Sequence, residues 1–377
     1  MSVWPGKYVI GLTGNIATGK SVVRKMLEHL GAYGIDADAL SHRAIASDAP
    51  GYKPVVDTFG KWILAPDGEI DRNRLARVAF ADPQALARLE AIVHPLVRQA
   101  IDVLIRRSKQ RVIVIEAIKL LESPLREGCD VIFVTYAPPE IQLARLMQKR
   151  GMSEEAARQR INSQSSQADK VKAANVVIRN TGSFEDAWRQ VSAAWGGLFP
   201  GEATGPLQPE KAVKGEMVVE RARPRQASEI AAFITRVSGN QRRMSREDVM
   251  AAFGEKAFLL LKLNRHLVGL AGWQVENLVA RTDDVYVDPS VTLLSAIRLI
   301  MDEVERTSRD LQCEVSLLFL PPSIARQEDV WRVLGYEVRQ AQSLGVRAWQ
   351  EAAQESMPTG TVLLFKQLRK DRVLRPV

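Results

Sequence analysis

Apolar residues follow two different rhythms along this chain, and the change comes near its middle. Up to about residue 195, short and nearly unbroken apolar runs alternate with stretches whose apolar residues recur at helical spacing. The runs Val9–Leu12, Val112–Ile115, Val131–Val134 and Val176–Ile178 show no polar alternation. Strands of that kind are buried on both faces, which predicts a parallel sheet with crossover helices. After residue 216, strand-like runs follow one another at Met217–Glu220, Ala257–Leu263, Leu267–Val275 and Asp284–Val287. A helical pattern over about Leu293–Thr307 and a strand near Val315–Leu320 complete a mixed α+β layout. Between the two regions, Gly196–Gly215 is dense in Gly and Pro and has no period, as a linker would be. The pattern predicts an α/β domain over 1–198, a linker over 199–215 and an α+β domain over 216–377.

Composition fits this division. A chain of 377 residues exceeds the size at which a single core stops growing. With 46% apolar and 25% charged residues it has the make-up of a globular protein, and no apolar run is long enough to span a bilayer. The start, Met1–Lys7, lacks the apolar region of a secretory signal, so a cytoplasmic protein with no membrane partner is expected. Cys129 and Cys313 lie far apart and are expected as buried thiols rather than as a disulfide or metal pair. A net charge of +8 suits either nucleic acid or phosphorylated small molecules. Arg221–Arg225 and Gln241–Arg243 are short and carry no interleaved aromatics, so small phosphorylated substrates are favoured and no nucleic-acid partner is expected.

The first chemical signal is Gly14-Asn15-Ile16-Ala17-Thr18-Gly19-Lys20-Ser21, which fits the phosphate-binding loop G-x-x-x-x-G-K-[ST] at every fixed position. It follows the run Tyr8–Thr13 and leads into a stretch with apolar Val22, Val23, Met26, Leu27 and Leu30, so strand, loop and helix come in the required order. Glycines let the backbone pass close to phosphate oxygens, and the amide groups point inward at the positive end of the new helix. These eight residues are therefore expected to hold a nucleoside triphosphate, with Lys20 reaching the terminal phosphates and Ser21 ligating Mg²⁺.

The second signal is Ile35-Asp36-Ala37-Asp38, just downstream of the loop. Two carboxylates at the end of a short strand, on the phosphate side of a parallel sheet, are well placed to meet a ligand. Asp38 would accept the proton of an acceptor hydroxyl during phosphoryl transfer. An aspartate beside a helix start is equally at home as an N-cap, and residue type alone leaves both roles open.

Together with Asp67–Arg72, Leu89–Pro95, Leu120–Glu122, Arg145–Lys149, Arg160–Gln164 and Asn175–Gly182, these motifs resemble dephospho-CoA kinase over about residues 7–195. The resemblance implies a P-loop kinase fold with a CoA-binding-type helical insertion and a lid over about Lys149–Lys172. It implies that Asp38 orients and deprotonates the ribose 3′-hydroxyl of dephospho-CoA, and that Asp36, Arg72 and His94 surround this acceptor. His94 would fit equally as a helix-start histidine before Pro95. Arg145 would hold ATP phosphates and spread developing charge, and Asn180 would contact the adenine of ATP. Where the family has proline and leucine, this chain has Ile118-Lys119, so Lys119 either contacts an acceptor phosphate or extends its ammonium to solvent. Lys149, Arg150 and Arg179 are further departures, and each keeps or adds positive charge.

Residues 216 to about 368 resemble the GNAT acetyltransferase fold, through Val218–Ile230, Leu267–Trp273, Asp284–Pro289 and Val330–Val338. That family binds acyl-CoA pyrophosphate with a glycine-containing loop, but Ser290–Ile297 contains no glycine. A non-catalytic domain that could still hold CoA or acyl-CoA is therefore expected, with a working acetyltransferase as the alternative. For the whole chain, the alternatives to a dephospho-CoA kinase are a nucleotide-gated interaction protein, or a kinase for another nucleoside or nucleotide.

Overall fold

The computed structural model describes residues 3–200 and 215–374. The linker expected over 199–215 lies, apart from its ends, outside the described residues. The chain forms two compact units. One draws on residues up to Asp36, on Lys109–Gly272 and on Tyr286–Ile300; the other draws on Ala37–Ser108, on Trp273–Val285 and on the chain from Met301 onward. Each unit thus takes residues from both sides of segment 201–214.

The first unit holds a five-stranded sheet built from β1 (Tyr8–Thr13), β2 (Tyr33–Asp36), β3 (Val112–Glu116), β4 (Val131–Tyr136) and β5 (Val176–Arg179), in the order β2-β3-β1-β4-β5. Every neighbouring pair is parallel, as the unbroken apolar runs predict. One face packs on helices Lys20–His29 and Phe184–Leu198 through Ile10, Leu12, Phe133, Met26, Leu27 and Trp195, all buried. Each such side chain contributes about 1.5–3 kcal/mol on leaving water. The Phe184–Leu198 helix starts at a capping box, in which Ser183 and Asp186 satisfy each other's backbone N–H groups.

Beyond segment 201–214, the sequence places five strand runs correctly within a few residues and misses two. Strands β6 (Met217–Arg221), β7 (Ala257–Leu263), β8 (His266–Glu276), β9 (Val279–Val287), β10 (Val315–Leu320), β11 (Glu337–Val338) and β12 (Val362–Gln367) form a seven-stranded sheet of order β11-β12-β10-β9-β8-β7-β6. The sheet is mixed: β9 and β10 run parallel, whereas β6/β7, β10/β12 and β11/β12 are antiparallel. β11 has only two residues and both are exposed, so it carries no apolar signal.

In the second unit, helices Ala37–Ala44, Tyr52–Phe59, Arg72–Ala81 and Pro83–Arg107 fill the chain between β2 and β3. Helix Arg347–Ser356 presses Trp349, Ala352 and Ala353 onto β9, β10 and β12. A buried charge cluster lies in the same unit. Arg43 pairs with Glu314 at 2.6 Å and donates to the Asn277 carbonyl, and Trp349 Nε1 donates to the same Glu314 carboxylate at 3.1 Å.

Cys129 and Cys313 are free thiols, the second buried and the first half-buried. Burial, followed by the neighbouring Asp130, pushes the Cys129 thiol up to about 12. No helix among the described residues is long and apolar enough to cross a membrane.

His29, at the end of helix Lys20–His29, is buried against the segment that follows helix Arg246–Ala252. Its Nε2 donates to the Phe253 carbonyl at 2.8 Å, which leaves Nδ1 to accept from Arg221 at 3.4 Å. Burial, then the Arg221 charge, lowers its pKa to about 3. The unfolded chain therefore takes up a proton near pH 6.5 that the folded chain refuses, and stability falls as pH drops from 6.5 toward 3. The expected slope approaches roughly 1.4 kcal/mol per pH unit in this window. Urea unfolding at pH 7, 6 and 5 checks it: the His29→Gln variant should show the shallower dependence, and parallel curves would refute the assignment.

Candidate active site

All five strands of the first sheet run in one direction, so their carboxyl ends lie at one edge. Leu12, Glu116 and Asp36 stand level in the register, and the loop Gly14–Ser21 leaves that edge after β1. In open α/β sheets this is the edge where ligands bind.

The loop conformation explains its glycines. Gly14 has φ +151°, and a Cβ there would sit 2.6 Å from the Thr135 carbonyl oxygen. Gly19 has φ +90°, and a Cβ there would collide with the Asn180 side-chain amide. Ala17 also takes a positive φ of 58°, a conformation that costs a non-glycine residue about 1–3 kcal/mol. Thr18 fastens the loop by donating to the Asn15 carbonyl at 2.7 Å, and its hydroxyl also meets that of Thr135 at 2.7 Å. Helix Lys20–His29 begins without a side-chain cap, which leaves the N–H groups of its first turn to the loop side.

Several expected ligand groups touch the loop itself. Arg145, from helix Pro139–Arg150, donates to the carbonyls of Ala17 at 3.1 Å and Asn180 at 2.9 Å. It so clamps the strained residue, and burial lowers its pKa from the ordinary arginine value. Asn180, at the end of β5, gives its amide N–H to the Thr18 carbonyl at 3.0 Å. Lys20 is buried, with its ammonium 3.4 Å from the Asn15 carbonyl. The Ile16 N–H, which the motif assigns to phosphate, donates to Gln164 Oε1 at 2.6 Å, and Asn15 reaches the Ser165 carbonyl. The Ile16 side chain packs with Leu146 and Ala157. The segment expected as a lid consists of helices Glu154–Asn162 and Gln167–Lys172, and it holds the loop through these contacts. Lys119 is exposed in the turn after β3. The side chains of Lys149 and Arg150 lie outside what the structure describes.

Glu116 went unnoticed in the sequence. It is buried at the end of β3, accepts from Ser21 Oγ at 3.0 Å and pairs with Arg24 at 2.7 Å. The available signal was Val112-Ile-Val-Ile-Glu116, an apolar strand ending in a carboxylate level with the loop.

In the second unit, Asp38 is the second residue of helix Ala37–Ala44, which starts directly after Asp36 at the end of β2. Asp38 therefore lies in the first turn of that helix. Arg72 begins helix Arg72–Ala81, whose N-cap is Asp71. His94 is exposed in the interior of helix Pro83–Arg107, which corrects the helix-start alternative. Pro95 does not end this helix, because Val93, Val97, Ile101, Leu104 and Ile105 keep one continuous face buried. A cleft of about 260 Å³ lies in this unit, lined among others by His42, Asp67, Arg72, Arg347 and Glu351. His94 does not line it.

Among the described residues no group of three or more His, Cys, Asp or Glu side chains could hold a metal by itself. Ser21 and Glu116 nevertheless present hard oxygen donors 3.0 Å apart beside the loop, and Mg²⁺ takes such a sparse protein set when phosphates and waters complete its shell.

Comparison with known proteins bears on these features. A family model described as dephospho-CoA kinase matches residues 8–186. A dephospho-CoA kinase of Geobacter sulfurreducens is 40% identical over 195 residues, which cover 51% of this chain and 99% of that protein. A solved structure of TT1252 from Thermus thermophilus is 33% identical at TM-score 0.46, covering 51% of this chain and 98% of its own. An acetyltransferase of the GNAT family from Staphylococcus aureus Mu50 is 12% identical at TM-score 0.34, covering 41% of this chain and all of its own. With one such relative aligned over nearly its whole length at 40% identity, the chain belongs to the dephospho-CoA kinase family.

Proposed function

We propose that this chain transfers the γ-phosphoryl group of ATP to the ribose 3′-hydroxyl of dephospho-CoA, giving CoA and ADP. The observation that carries this reading is the shared carboxyl edge of the parallel sheet. It presents the phosphate loop, Glu116 and Asp36 in one register, and the helix carrying Asp38 follows β2 directly.

In the proposed mechanism the loop amides from Gly14 to Ser21, with Lys20, hold the triphosphate at the positive end of helix Lys20–His29. Asp38 accepts the 3′-hydroxyl proton as the oxygen bonds to the γ-phosphorus, while the bond from that phosphorus to the β–γ bridging oxygen breaks and ADP leaves. In this reading Asp36, Arg72, His94 and Lys119 bind the acceptor, and Asn180 contacts the adenine of ATP. Arg145 fixes the loop through Ala17 and offers its remaining N–H groups to developing phosphate charge. Mg²⁺ entering with ATP would be held by Ser21, with Glu116 behind it, and supplies charge neutralisation at the phosphates. The segment over residues 149–172 excludes water once the nucleotide displaces Gln164 from the Ile16 N–H. The organisation that goes with this is a kinase domain over 1–198, a linker over 199–215 and a second domain over 216–377, in a cytoplasmic protein.

The second domain is proposed to be non-catalytic. Where a CoA-binding acetyltransferase would offer bare amides, Asp288 accepts the Ser290 N–H at 2.9 Å and pairs with Arg236. Those contacts, led by the Ser290 N–H, hold its carboxyl down to about 2, so the Ser290 amide is already engaged by a carboxylate. An acceptor panel tests the kinase reading. With ATP and Mg²⁺, dephospho-CoA should be turned over far faster than adenosine, AMP or other nucleosides, and equal or preferred use of another acceptor would overturn it.

A further inference from the structure

The cleft in the second unit brings together groups from distant parts of the chain. Arg72 comes from the start of helix Arg72–Ala81, whereas Arg347 and Glu351 come from helix Arg347–Ser356. That helix buries Trp349, Ala352 and Ala353 against its sheet, which leaves Arg347 and Glu351, one turn apart, on a different face. Glu351 bridges two guanidiniums: Arg347 Nε donates to one carboxylate oxygen at 3.1 Å, and Arg72 Nη2 donates to the other at 3.3 Å. Arg347 also reaches Asp67 at 3.2 Å.

The remaining acids of the cleft are engaged elsewhere. Asp71 caps helix Arg72–Ala81 and pairs with Arg74, and Glu69 accepts from the Ser47 N–H and hydroxyl. Two arginine forks thus converge on one carboxylate, and guanidiniums hold phosphate oxygens through the same kind of contact. The pairs are also partly exposed, with side-chain exposures of 49% for Arg72, 39% for Arg347 and 31% for Glu351. Ion pairs of this kind are held weakly and exchange readily for a better ligand. The 195-residue match to the Geobacter sulfurreducens kinase takes in 99% of that protein, which leaves no counterpart there for Arg347.

We propose that this cleft is an anion subsite for the acceptor, in which Glu351 yields Arg72 and Arg347 to a phosphate group of dephospho-CoA. The region after segment 201–214 then supplies an acceptor-binding residue, Arg347, and a competing carboxylate, Glu351. This rests on the dephospho-CoA kinase reading and adds residues to its acceptor site.

The test uses the full chain, with dephospho-CoA varied at saturating ATP and ATP varied at saturating dephospho-CoA, comparing wild type with Arg347→Gln, Arg347→Lys and Glu351→Gln. Losing one charge-assisted phosphate contact should raise the KM for dephospho-CoA about tenfold in Arg347→Gln, with the KM for ATP unmoved. Arg347→Lys should recover part of the loss, since it keeps the charge without the fork. Glu351→Gln should lower the KM, because the competitor is gone. Titration of dephospho-CoA into each variant without ATP reads the same order as binding, independent of turnover. A KM within twofold of wild type in both Arg347→Gln and Glu351→Gln, from an active enzyme, overturns this subsite alone. A rise in KM for Glu351→Gln also overturns it, since the carboxylate would then be scaffolding. No turnover of dephospho-CoA by wild type removes the kinase reading and the subsite with it.

Discussion

Asp38→Asn is expected to lower kcat for phosphorylation of dephospho-CoA by about 10²- to 10⁴-fold, the usual contribution of a positioned general base. The substitution keeps the shape and removes only the ability to take a proton. Asp38 lies in the first turn of helix Ala37–Ala44, where a carboxylate is favoured by the helix dipole, so the variant also loses a little local stability, about 0.3–1 kcal/mol. That loss is too small to unfold the chain. Because the loop, Arg145 and Asn180 are untouched, the KM for ATP should stay near the wild-type value. Steady-state kinetics over both substrates separates the effects, and an unchanged kcat would remove Asp38 from the role of base.

Lys20→Ala should also lower turnover by orders of magnitude, by a different route. Lys20 is buried at the start of its helix, and its ammonium folds back to the Asn15 carbonyl across the loop. In the proposed mechanism its loss removes a positive charge that would face the transferred phosphoryl group. Removal of one preorganised electrostatic contact of this kind typically costs about 10²–10³ in kcat. Here both kcat and nucleotide affinity should fall, in contrast to Asp38→Asn. Binding of a fluorescent ATP analogue, measured beside turnover, checks the pattern. Intact nucleotide affinity in Lys20→Ala would contradict the assignment of this loop.

Much of this was legible in the sequence for physical reasons. Strands β1, β3 and β4 are buried on both faces, so they appear as unbroken apolar runs that no polar face interrupts. The phosphate loop is legible because close backbone approach and positive φ at Gly14 and Gly19 restrict the residue choice. Glu116 was harder to see, since a single carboxylate at a strand end gains meaning only when the register sets it beside Ser21. The cleft was illegible altogether. Arg72 and Glu351 are 279 positions apart, and nothing local in either segment announces the other. Position within a helix likewise needed the structure: Pro95 reads as a boundary, yet the buried face running from Val93 to Ile105 carries the helix through it. The strand β11 escaped because two exposed residues have no pattern to detect.

The central claim is the identity of the acceptor, and one measurement addresses it directly: mass detection of product after the full chain is incubated with ATP, Mg²⁺ and dephospho-CoA. The predicted result is conversion of dephospho-CoA to a species heavier by one phosphoryl group, identical to CoA with its phosphate on the ribose 3′-oxygen. Unchanged dephospho-CoA from a folded chain that binds ATP would contradict the account.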